Sequence, residues 1–170
     1  MTATLRRERG LVALLLFAVA GIGASAYLTA VHYADVAPVC AGGGPFDCAA
    51  VTQSSWSVVP GTSIPVTVPG LLFFIVSGAL AAVALSAAAR GVDGPRVLAR
   101  AHAALAGAAM LAVFYFVYVE LVELHRICEW CTAVHVLVLA SFVVAATRLQ
   151  AEPAGEAAPD EADTLTPQLD

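Results

Sequence analysis

Four apolar runs of about twenty residues leave this chain very few ways to fold. They cover residues 11–31, 70–89, 101–119 and 128–147, and Glu129 is the only Asp, Glu, Lys or Arg among them. About 20 apolar residues in a helix cross a hydrocarbon core ~30 Å thick. Within lipid the backbone must satisfy its own hydrogen bonds, which a helix does locally. Composition agrees: the chain is 60% hydrophobic and 12% charged, with a mean hydropathy of +0.85, where a soluble domain carries about 25% charged residues. The expected fold is an all-α membrane protein, a four-transmembrane-helix bundle.

The connections are unequal. Residues 32–69 form a long loop with Pro38, Pro45, Pro60, Pro65 and Pro69 and the run Gly42-Gly43-Gly44, a composition that favours turns over regular structure. One short helix is expected there, opened by Asp47 as N-cap and carrying Cys48, Val51 and Gln53. Residues 90–100 and 120–127 are short turns. Residues 1–150 are read as one membrane catalytic domain. Residues 151–170 hold six of the thirteen acids and no base, and are read as a disordered acidic cytoplasmic tail. A cleaved signal peptide is the rival reading of the first run, since Ala24-Ser25-Ala26 resembles a cleavage site. The run continues through Tyr27, Leu28 and Val31, longer than a signal peptide's apolar region.

The arginines orient the bundle. With four crossings, Arg6, Arg7, Arg9, Arg90, Arg96, Arg100 and Arg148 fall on one side and only Arg126 on the other. By the positive-inside rule both termini are cytoplasmic, and the long loop and the 120–127 turn face outward. All four cysteines, Cys40, Cys48, Cys128 and Cys131, then lie on the outer side, where disulfides persist. Nucleic acid is not an expected partner, because the arginines are scattered at helix ends without an aromatic platform.

Three chemistries fit four such cysteines. Two static disulfides in a membrane scaffold would gain little, since the loops closed by C-x7-C and C-x-x-C are short. A zinc site would need wider ligand spacing than usual at Cys40 and Cys48. The third is an electron relay by thiol–disulfide exchange. Cys128-Glu129-Trp130-Cys131 opens the last crossing, where unpaired N–H groups and the helix dipole favour thiolate. The pair lies beside lipid, within reach of a quinone, a two-electron acceptor matched to a dithiol. Cys40 and Cys48 lie in a Gly- and Pro-rich loop that a protein partner can reach. The relay accounts for both placements.

These features resemble the vitamin K epoxide reductase family: a C-x7-C loop pair, Ser54 six residues after its second cysteine, and C-x-x-C opening the last of four helices. The resemblance runs from about Leu11 to Thr147. DsbB enzymes also have four helices and four cysteines, but carry C-x-x-C in the first outer loop, the reverse of the order here.

The resemblance implies a membrane thiol oxidoreductase supporting disulfide formation in exported proteins of a bacterium, located in the plasma (inner) membrane. Cys40 would exchange with a thioredoxin-like, DsbA-type periplasmic partner, Cys48 would attack Cys128, and Cys131 would face a membrane quinone. His135 and Ser54 match family positions near the quinone, and Trp130 and Trp56 are candidate walls of its site. The lysine-free, Ala-rich composition favours menaquinone over ubiquinone. Ser63-Ile64-Pro65 replaces the family's usual Gly-Ile-Pro. The acidic tail stands where many bacterial relatives carry a fused thioredoxin-like domain, so a separate partner is expected. Glu120 and Glu123 are read as interfacial acids, solvated or paired with His125 or Arg126.

Overall fold

The computed structural model describes residues 2–91 and 96–151, so the expected tail and part of the 90–100 turn lie outside the described residues. Five α-helices follow in order: α1 (Thr2–Tyr33), α2 (Cys48–Thr52), α3 (Thr67–Ala89), α4 (Arg96–Tyr118) and α5 (Glu129–Ala151). A 3-10 turn (Ser55–Ser57) follows α2, and a π-helical turn (Val119–Glu123) extends α4. Among the described residues there is no strand, only isolated backbone bridges. Four helices are long and apolar enough to cross a membrane: Glu8–Tyr33, Thr67–Ala89, Arg96–Glu123 and Glu129–Ala151. The fold is the expected all-α membrane bundle.

Helix ends differ from the sequence reading by up to several residues. Helix α3 begins at Thr67 rather than Gly70; Pro69 is tolerated because N–H groups of a first turn have no intrahelical partner. Helix α4 begins at Arg96 rather than Ala101, since arginine is a good helix former and its charge can leave the apolar layer along its stem. The short loop helix opens at Asp47, whose Oδ1 accepts the Ala50 N–H at 2.9 Å.

The crossings form a four-membered ring in which α1 and α4 each pack against both α3 and α5. Large side chains such as Leu16, Val19, Leu111, Phe114 and Leu139 are exposed on the outside, whereas Ser25, Ser77, His102 and Ser141 are buried within. That inverted distribution is what lipid permits: apolar groups lose nothing outside, and polar groups must find partners inside. Ser77 Oγ and His102 Nε2 share a 2.8 Å hydrogen bond between α3 and α4. Thr29 and Thr67 hydroxyls share one of 2.7 Å between α1 and α3.

Between α1 and α3 the backbones approach through small residues. Ala18 lies against Gly78, and the ring of Phe74 occupies the space where a side chain at Gly21 would stand. Phe74 is fully buried and, with Phe73, Ala106, Met110, Val113 and Val138, forms the main packed cluster. Leu11, Leu14, Ala81 and Ala84 pack a second cluster.

Gly21→Leu must displace the Phe74 ring and should cost about 1–3 kcal/mol. The expected result is a thermal midpoint several degrees lower in detergent. Gly23→Leu is the control, because nothing lies within 4 Å of a Cβ there, and its midpoint should be unchanged.

Candidate active site

The four cysteines are brought together by backbone pairing between the long loop and the residues before α5. The Ile127 N–H donates to the Pro45 carbonyl at 2.9 Å, and the Asp47 N–H donates to the Ile127 carbonyl at 3.0 Å. Cys48 follows Asp47 and Cys128 follows Ile127, so a shared hydrogen bond places the two cysteines side by side in the fold. Both are buried. His125, with φ 51°, turns the chain out of the π-helical turn and into this pairing.

Between Cys40 and Cys48 the chain reverses through Gly42, Gly43 and Gly44, all at positive φ (69°, 115° and 62°). L side chains rarely adopt such angles, least of all that of Gly43, so the turn favours glycine. The reversal brings Cys40 and Cys48 to a Cα–Cα distance of 6.2 Å, and they form a disulfide. Cys128 and Cys131 are thiols.

Three side chains hold the Cys40 strand against the bundle. The Trp130 indole N–H donates to the Val39 carbonyl at 2.7 Å, the Val39 N–H to the Tyr27 hydroxyl at 2.9 Å, and the Ala41 N–H to Glu129 Oε2 at 3.1 Å. Trp130 also packs on Tyr27, with ring centroids 4.8 Å apart. Both residues between the cysteines of C-x-x-C therefore reach to either side of Cys40. Sequence had suggested Trp130 as a wall of the quinone site; the structure places it, with Glu129, on the loop segment that contains Cys40.

Cys128 occupies the N-cap position of α5, its Sγ accepting the Cys131 N–H at 3.2 Å in place of the usual hydroxyl. The Cys131 thiol beside it, and then the backbone N–H groups, hold Cys128 below the usual thiol range against the opposing effect of burial. Cys131, less than one turn further on, borders a cavity of about 490 Å³.

That cavity is lined mainly by apolar side chains of α3, α4 and α5, among them Phe73, Val113, Phe116 and Val134, with Leu28 of α1. His135, Ser54 and Trp56 border it together with Cys131, whereas Cys40, Cys48, Cys128 and Trp130 do not. Ser54 donates its hydroxyl proton to the Val51 carbonyl at 2.8 Å, so towards the cavity it offers only an acceptor. Trp56 is held edge-on to Tyr115, centroids 6.3 Å apart.

Two further titratable residues border the cavity that the sequence reading did not place there, His32 of α1 and Glu120 of the π-helical turn. Glu120 is 5% exposed, not an interfacial acid. Sequence offered one signal for it, an ionisable residue at the end of an apolar run close to a cysteine pair. Among the described residues no three His, Cys, Asp or Glu side chains converge as metal ligands, which gives the zinc reading no geometric support.

The arrangement is a loop disulfide whose second cysteine lies next to a helix-capping cysteine, followed by a thiol at the edge of an apolar cavity within a membrane-length bundle. A family model described as the vitamin K epoxide reductase family matches residues 12–146, which include all four cysteines and the whole loop. A comparison with curated proteins gave no significant match. The family match extends over well over half of the chain, and this multi-pass membrane protein belongs to the vitamin K epoxide reductase family, oxidoreductases that act on thiols.

Proposed function

We propose that the protein oxidises a separate thioredoxin-like partner and passes the electrons through Cys40/Cys48 and then Cys128/Cys131 to a membrane quinone, with residues 1–150 as the catalytic domain. One observation carries the reading: the Pro45–Asp47 pairing with Ile127 seats the loop disulfide against the C-x-x-C pair, and Cys131 opens onto the apolar cavity. The cavity suits a quinone in chemistry as well as position. Its walls match a ring and isoprenoid carbons, and His135 offers a ring nitrogen to a quinone oxygen. Ser54, whose proton is already donated, suits the hydroxyl of the quinol.

Each step exchanges one disulfide for another. A partner thiolate attacks Cys40, breaking Cys40–Cys48 and freeing Cys48. The partner's second thiol then closes its own disulfide and releases Cys40. Cys48 gives up its proton and attacks Cys128 of an oxidised C-x-x-C pair, and Cys131 leaves and takes up a proton as the thiol facing the cavity. Cys40 attacks Cys48, restores the loop disulfide and releases Cys128. Closing Cys128–Cys131 then sends two electrons to the quinone, with two protons released by the dithiol and two taken up by the quinol.

The low thiol range of Cys128 supports its part, since the better leaving thiolate is the one released when Cys40 resolves the Cys48–Cys128 bridge. The arginine distribution supports a cysteine end outside the plasma membrane with both termini in the cytoplasm. Disulfide formation in exported bacterial proteins is then the output, and menaquinone the favoured acceptor.

Purified protein given a reduced thioredoxin-like donor should bleach the quinone absorbance, and Cys131→Ser should reduce the rate to background. Failure of the wild type with both menaquinone and ubiquinone analogues, while the protein remains folded, would favour a scaffold with static disulfides. In Cys40→Ala/Cys131→Ala, mild oxidation should join Cys48 to Cys128 in a bridge that persists, because both thiols able to resolve it are gone. After thiol trapping, a non-reducing gel and peptide mapping should detect it; absence of that bridge contradicts the relay order.

A further inference from the structure

Glu120 and Glu123 are three residues apart, a spacing that shares one face in a regular helix. Here they point apart. The Leu124 N–H donates to the Val119 carbonyl at 2.9 Å, the five-residue bond of a π-helical turn, a form found often at functional sites. Glu123 is exposed and accepts the Tyr118 hydroxyl at 3.1 Å. Glu120 is buried and borders the cavity. Its carboxyl lies close to the Cys128 N–H and to the Cys131 thiol, between the cap of α5 and the sulfur at the cavity edge.

A buried carboxyl in a membrane bundle is costly and calls for a role. Capping Cys128 alone would not require one, because a neutral amide oxygen accepts the same N–H. A carboxylate differs from an amide in being able to take the proton of the thiol it faces. We propose that Glu120 is the general base for Cys131, taking its proton as the Cys128–Cys131 disulfide closes and giving it to the reduced quinone. The proposal rests on the quinone reading of the cavity.

The protons balance. Cys131 gives one to Glu120, which passes it on and returns to the carboxylate. Cys128 gives the other to the water outside, and the quinol takes its second proton from there. The two electrons leave the sulfurs as the S–S bond forms. The other titratable groups bordering the cavity are Cys131 and His135 of α5 and His32 of α1; among the described residues none comes from α3, from α4 or from residues 34–66.

Full-length Glu120→Gln, with Glu120→Asp beside it, tests the assignment in detergent. For Glu120→Gln, kcat for quinone reduction should fall about a hundred-fold, in the range of lost general-base catalysis, with KM for quinone within about two-fold. Its deficit should shrink as pH rises from about 6.5 to about 9, because hydroxide replaces the missing base. Glu120→Asp, which keeps a carboxylate, should recover part of the rate. A deficit that is absent, or constant across that pH range, overturns the proposal.

A second readout needs no quinone. The pH dependence of Cys131 alkylation by N-ethylmaleimide, followed by peptide mass in the fully reduced protein, should show a carboxyl and a thiol limb in the wild type. Glu120→Gln should show the thiol limb alone. If the wild type reduces no quinone, the acceptor reading fails and the alkylation profiles alone decide the Glu120–Cys131 coupling. Identical profiles in the two proteins overturn it.

Discussion

Two backbone hydrogen bonds between Ile127 and residues 45 and 47 are the constraint on which the site depends. They join a loop that leaves the first crossing to the residues that enter the last. Without them the Cys40–Cys48 disulfide would belong to a surface loop and C-x-x-C to a separate helix end. Such bonds form well here because the end of α4, through the π-helical turn and the positive φ of His125, leaves Ile127 extended with both backbone groups available. Trp130, Glu129 and Tyr27 then complete what the pairing begins, each reaching the strand that contains Cys40.

The bundle beneath supplies the contrast that the chemistry needs. In its lower part, small residues allow close approach, with Phe74 filling the space at Gly21. At the loop end, α3, α4 and α5, with Leu28 of α1, line a cavity whose few polar groups lie at its border. Apolar walls and a thiol at the rim suit a two-electron acceptor soluble in lipid. Water-exposed thiols would exchange with any passing disulfide, whereas Cys48 and Cys128 are both buried, which in the proposed relay would restrict exchange to defined partners.

Much of this was legible beforehand, for physical reasons that can be named. Twenty-residue apolar runs announce membrane helices because lipid offers the backbone no other partner. The N-cap at Asp47 was legible because capping depends on residues within one turn. C-x-x-C at a helix start was equally local. The contacts of Trp130 and Glu129 were not, since Trp130 spans 91 residues of sequence to reach Val39 and Glu129 spans 88 to reach Ala41. An interfacial tryptophan is common enough that its identity alone does not reveal its partner.

Sequence by itself determined the class of fold, the number of crossings, the order of the cysteine pairs and the glycine turn between Cys40 and Cys48, all of which depend on local spacing and on the solvent a segment prefers. Tertiary structure alone decided which cysteines are neighbours across the two segments, which residues border the cavity, and that Glu120 faces inward while Glu123 faces outward. The reason is register. A single five-residue hydrogen bond at the end of α4 redirects every side chain after it, and sequence periodicity contains no mark of where a helix widens by one residue.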